Sequence, residues 1–329
     1  MVKTTKRVAW ISILQAITMV AVVAGHIDLT GDHNPDYPIA SWIDYLVHFQ
    51  MPVFFFISGY LYIRSSLSKM PYMDLIKSKW IRLGIPFLFI TIVMYAFKLQ
   101  LPQDSLTHPV ELSGAYILRM LFEPWNGPAR HMWFLFTLFT YFLLIPLYII
   151  TLKRWGDVAV LIMVAYLMQV ILAEYPLFNL NLFSLGRSLR HFLWFYLGLV
   201  VMKFDLIKYL QNRYALMVCT VLYFFSFIWQ IPFKGLWGIG MIVSIAYYIA
   251  EWEPSLFSSF SKYSYQIYLM HIPPIMVCRM VYRRAIIAND DIWFPFCWIA
   301  TLLVAIYAPV LVSKVVERLP AKLKILIGL

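Results

Sequence analysis

Val8-Ala-Trp-Ile-Ser-Ile-Leu-Gln-Ala-Ile-Thr-Met-Val-Ala-Val-Val-Ala-Gly-His-Ile27 is a run of 20 residues without a formal charge, preceded by Lys3, Lys6 and Arg7. A helix of that length crosses the ~30 Å hydrocarbon core of a bilayer. A basic flank before an apolar run is also the pattern of a cleaved signal peptide. Similar windows recur along the whole chain, however, so the run reads as an uncleaved first helix. Working outward, spans are expected at about 8–27, 45–63, 83–101, 132–152, 157–173, 186–202, 214–232, 235–250, 263–281 and 292–313. The expected fold is an all-α polytopic bundle of about ten spans, forming one membrane domain over residues 1–329.

Composition agrees. Of 329 residues, 62% are hydrophobic and 13% charged, against roughly 25% charged in soluble domains. The surplus apolar surface needs membrane lipid as its partner. The net charge of +11 would suggest nucleic acid in a soluble protein, but a positive-inside bias accounts for it without that partner. With the N-terminus inside and spans alternating, 18 of the 27 Lys and Arg residues fall in inner segments and nine outside. Both termini are therefore expected in the cytoplasm. Cys219, Cys278 and Cys297 lie in apolar runs and suggest neither a disulfide framework nor a metal site.

Ionisable groups inside spans are costly and point to function by default. His26 closes the first span. Gln15 lies eleven residues earlier, within ~20° of the same helix face and ~16 Å lower. Ser12 lies near that line, so the three form a polar stripe. His48 opens the second span, where Pro52 is expected to free a backbone carbonyl and Gly59 to permit close helix approach. Arg187, Arg190 and His191 share one face by their i, i+3, i+4 spacing and would stabilise an anionic group in the bundle. His131 and Trp133 begin the fourth span. His271 sits mid-span, where Pro273-Pro274 should break the helix just beyond it. Each has a plainer reading: interfacial wetting for His26 and His48, headgroup snorkelling for the arginines, a belt position for Trp133, an interhelical hydrogen bond for His271. The inner loop 64–82 carries Arg64, Lys69, Lys77, Lys79 and Arg82 against Asp74 alone. That satisfies the topology bias and would also suit a phosphorylated cytosolic donor. No HExxH-type spacing occurs, and no metal is expected.

Four stretches, in order, resemble the membrane acyltransferase-3 family: Trp10 to His26; Met51-Pro-Val-Phe-Phe-Phe-Ile-Ser-Gly-Tyr60; His131-Met-Trp-Phe-Leu with Pro146 downstream; and Tyr268-Leu-Met-His271. The size and layout are similar to stand-alone O-acetyltransferases of surface polysaccharides. The resemblance implies transfer of an acyl group, acetyl first, from acyl-CoA as co-substrate to an extracytoplasmic glycan or lipid-linked saccharide. The setting it implies is a bacterial plasma membrane. It also implies His26 as catalytic base with Gln15, His48, Arg187 and Arg190 around the reacting group. Lys77, Lys79 and Arg82 would hold the donor phosphates, and His131, Trp133, His191 and His271 would bind substrate. No tightly bound cofactor is implied. The chain departs from the family at Ser12 and Gln15, where an Asp and an Arg are usual. Gln15 keeps a hydrogen-bonding amide without the charge, leaving Arg187, Arg190 or the basic loop to supply it. Rival readings are O-succinyl transfer, a transporter of glycan intermediates, and an inactive glycan-binding relative.

Overall fold

The computed structural model describes residues 9–29, 48–103, 106, 108–175, 181–229, 233–253, 255, 257–285 and 293–329. The basic N-terminus with Lys3, Lys6 and Arg7, the start of the second expected span and most of the expected connection 28–44 lie outside those residues. The principal helices are α1 (Ala9–His26), α2 (Gln50–Arg64), α3 (Tyr72–Leu99), α4 (Gly114–Phe122), α5 (Trp133–Leu143), α6 (Ile145–Ile149), α7 (Trp155–Glu174), α8 (Leu185–Lys203), α9 (Arg213–Ile228), α10 (Lys234–Trp252), α11 (Ser264–Met270), α12 (Ile272–Ala285) and α13 (Phe294–Val316). No strand occurs among the described residues.

Helices fall on all ten expected apolar segments. Among the described residues five of them, α1, α3, α7, α10 and α13, are long and apolar enough to cross a bilayer unaided. The pair 130–143 and 145–153, bent by 59°, would make a sixth. α7 and α13 turn large apolar side chains such as Met163, Leu167, Phe296 and Leu311 outward, as lipid contact requires.

α1 is the central helix, touching α2, α10, α11 and α13. α2 makes its most extensive contact with α8, and its closeness rests on two glycines. A Cβ on Gly59 would fall 2.1 Å from the carbonyl oxygen of Phe195, and one on Gly198 would fall 2.1 Å from that of Phe56. Without side chains at the crossing the backbones touch, which is how helices gain van der Waals contact in lipid.

Prolines fix the breaks, and side chains bond backbone carbonyls beside them. Pro86 removes the helical donor to the Arg82 carbonyl just after a π-helical turn at Trp80–Gly84. The Tyr265 hydroxyl donates to that carbonyl at 2.5 Å. Where Pro146 bends the chain after α5, the Tyr72 hydroxyl donates to the Leu143 carbonyl at 2.6 Å. Pro273 leaves the Leu269 carbonyl without its donor, and Nε2 of His131 donates to it at 3.3 Å. Pro52 differs from expectation. It falls in the first turn of α2, where a helix has no internal partner for the missing N–H, so it interrupts no helical bond.

Candidate functional site

The proline break after α11 sets the site. It halts the helix at His271, which is fully buried, and brings that ring against α1 and the start of α5. The ring centroids of His26 and His271 are 5.0 Å apart, and those of His131 and His271 are 5.2 Å apart. Backbone carbonyls fix the tautomers, because a carbonyl only accepts. Nδ1 of His26 donates to Val22 at 2.7 Å. Nδ1 of His271 donates to Tyr268 at 2.8 Å. Both rings in their neutral form therefore carry the lone pair on Nε2. For His271 that Nε2 has no hydrogen-bond partner among the described residues. His131 donates through Nε2 and keeps its lone pair on Nδ1. The Tyr268 hydroxyl donates to the His131 carbonyl, tying α11 to the head of α5.

Taking the His26 end of α1 as the upper end, a cavity of about 400 Å³ opens there, lined by His26, His131, Asp28, Lys98, His108, Arg130 and Arg279. Asp28 pairs with Arg279 at 3.7 Å, joining the end of α1 to α12. Below lies a second cavity of about 330 Å³, lined by Gln15, Lys79, Arg82, Ser264, Tyr265 and Tyr268. The Ser264 hydroxyl is buried and has no partner among the described residues. Tyr268 thus lines the lower cavity while its hydroxyl holds the His131 carbonyl of the upper one. A third cavity of about 660 Å³, beside Gly25, is lined by His48, Gln169, Glu174, Arg190, His191, Trp194 and Lys234.

The expected site residues separate into these places. His26, His131 and Trp133 line the upper cavity, and His271 closes on the first two from below. Gln15 lines the lower cavity with Lys79 and Arg82, whereas Lys77 is exposed and does not line it. His48, Arg190 and His191 line the third cavity. Arg187 leaves the other two residues of its face and lies over Trp125, 3.2 Å from the ring centroid. Trp133 is buried, its ring tilted against that of His191 with centroids 5.1 Å apart, instead of standing in a lipid-facing belt. The structure does not gather His26, Gln15, His48, Arg187 and Arg190 around one point.

Sequence reasoning passed over Asp28, Lys98, His108, Arg130 and Arg279. Lys98 and Arg279 carried a usable signal, since each is a lone cation at or inside an apolar segment. Their convergence with Arg130 depends on three separate helices meeting and left no local pattern. Among the described residues no group of His, Cys, Asp and Glu could hold a metal ion.

An all-helical membrane protein with buried imidazoles between two cavities is the class these features define. The family model for the acyltransferase-3 domain matches residues 8–313, and the chain belongs to that family. No curated protein and no solved structure matches it.

Proposed function

We propose that this membrane acyltransferase moves an acetyl group from acetyl-CoA to a hydroxyl of an extracytoplasmic glycan or lipid-linked saccharide. Its setting in this reading is a bacterial plasma membrane, with both termini and the lower cavity facing the cytoplasm. The observation that carries the reading is the back-to-back arrangement of the two cavities on Tyr268 and the histidine cluster. The lower one offers Lys79 and Arg82 to the donor's phosphates and, higher up, Gln15 and the Ser264 hydroxyl to its amide-bearing arm. The upper one offers a fixed Nε2 lone pair on His26 to the acceptor.

His26 takes the proton of the sugar hydroxyl as the oxygen attacks the acyl carbonyl carbon. The carbon–sulfur bond breaks, and the proton passes to the leaving sulfur, releasing CoA as its thiol. The Val22 carbonyl holds the ring in the tautomer this needs and gains strength as a partner while the imidazole carries charge. Mass spectrometry of surface glycans with and without the gene tests the reading. Loss of an acetyl increment is the expected result, loss of a succinyl increment would change the donor, and unchanged glycans would contradict it.

A further inference from the structure

Charge in the upper cavity is unbalanced. Lys98, Arg130 and Arg279 line it, and the one acid among the described lining residues, Asp28, is engaged by Arg279. Lys98 is only 6% exposed, and among the described residues its ammonium donates to the His108 carbonyl at 3.3 Å. Among the described residues that leaves hydrogens of its three unused. Arg130 lies over the Trp125 ring at 4.1 Å and meets the His108 ring, and its Nε has no hydrogen-bond partner among the described residues. Its flat face is therefore covered by an aromatic ring while donors remain along its edge, a posture suited to a planar or tetrahedral oxyanion. Arg187 packs on the same Trp125 ring and adds positive charge behind it.

Holding cations together in a poorly solvated wall costs free energy. That cost is recovered when a ligand supplies the missing negative charge. The third cavity carries a smaller excess, Arg190 and Lys234 against Glu174, and Arg190 there already donates to the Leu172 carbonyl. The cations of the lower cavity, Lys79 and Arg82, lie at the other end of α3 from Lys98 and cannot serve the same group.

We infer that the upper cavity binds an anionic saccharide, gripping its carboxylate or phosphate through Lys98 and Arg130 beside the hydroxyl presented to His26. This rests on the acceptor side of the function proposed above. A bound ground-state anion would act on affinity for charged sugars alone. Stabilisation of the reaction's own oxyanion would act on turnover with every acceptor. The two roles are therefore separable.

The test is calorimetric titration of the purified, detergent-solubilised protein with methyl glucoside, methyl glucuronide and glucose 6-phosphate. One charged hydrogen-bonded contact is worth about tenfold in affinity or more, so at least one anionic sugar should bind about tenfold more tightly than methyl glucoside. Preference for the glucuronide assigns a sugar carboxylate, and preference for the phosphate assigns the phosphate of a sugar ester or lipid carrier. Arg130→Gln and Lys98→Gln should each reduce the preference to about threefold or less, and Arg130→Lys, which keeps the charge but not the stacked planar fork, should retain only part of it. Two variants are used because Lys98 is buried and its replacement could impair folding. Equal binding of neutral and charged sugars, or a preference surviving both substitutions, would overturn the inference. Acetyl transfer assayed on the same sugars separates the two claims. Transfer without charge preference refutes only the anion site, and charge preference without transfer refutes only the reaction.

Discussion

The rings of His26 and His271 stand edge to face with centroids 5.0 Å apart, each donating through Nδ1 to a carbonyl of its own helix. Nε2 is thus the proton-accepting nitrogen on both rings. His26 lines the upper cavity, whereas His271 is fully buried behind it. In the proposed reaction the two imidazoles divide into one that meets substrate and one that supports it.

The glycine crossing of α2 and α8 gives the first prediction. Gly198→Ala places a methyl 2.1 Å from the Phe56 carbonyl, and neither backbone can withdraw without unpacking the helix pair. Thermal unfolding in detergent should show a loss of about 1–3 kcal/mol. Gly114→Ala is the matched comparison, since nothing lies within 4 Å of its added Cβ, and its melting temperature should be unchanged or higher.

The lower cavity predicts a split within the basic loop. Lys79→Gln and Arg82→Gln together should raise the KM for acetyl-CoA with a smaller effect on kcat, because phosphate contacts act alike on bound donor and transition state. Lys77→Gln should leave both constants unaltered, since that side chain is exposed and off the cavity. Steady-state kinetics with purified protein decides it, and equal effects at Lys77 and Lys79 would count against the donor path.

Orientation follows from the bias of 18 inner against nine outer basic residues. In a variant lacking Cys219, Cys278 and Cys297, cysteines at Ser68 and Lys322 should resist an impermeant thiol reagent in intact cells. A cysteine at Gly114, an open position, should react. Labelling at Ser68 would invert the topology.

Much of the architecture was legible because lipid imposes one simple rule, long apolar runs, and helices fall on each of the ten segments that rule picks out, five of them long and apolar enough to cross a bilayer unaided. Gly59 was legible for the same reason, small residues being what close helices in lipid need, although its partner Gly198 was not. Pro273-Pro274 announced a break beside His271. It did not announce that the Leu269 carbonyl, released by that break, would receive His131. Arg187, Arg190 and His191 share a helix face, yet Arg187 is drawn onto Trp125 while Arg190 donates to the Leu172 carbonyl. Shared periodicity fixes direction, not partner. The cations of the upper cavity come from three helices far apart in sequence, so their meeting is a property of tertiary packing alone.

His108 gives a prediction in pH. Burial beside the cavity, and then the charges of Arg130, Lys98 and Arg279, push its pKa down from 6.5 to about 4. The unfolded chain thus binds more protons than the native one between those two values, so stability falls with acidification through that window. The contribution is fully present above pH 6.5. His108→Gln removes it, and the variant's melting temperature should fall less steeply than the parent's from pH 6.5 to pH 4. Parallel curves would show that His108 titrates as an ordinary histidine.

The most direct measurement is the acetyl-transfer rate of His26→Gln, in which an amide retains a hydrogen-bonding side chain but cannot take up the proton. Removing a general base costs ~10²–10⁴ in rate. With membrane insertion and melting temperature shown to be normal, kcat should fall by about that factor while the KM for acetyl-CoA stays within about twofold, because the donor contacts lie in the other cavity. A His26→Gln protein transferring acetyl groups at near the parent rate would contradict the account, leaving the proton to be taken by some other group.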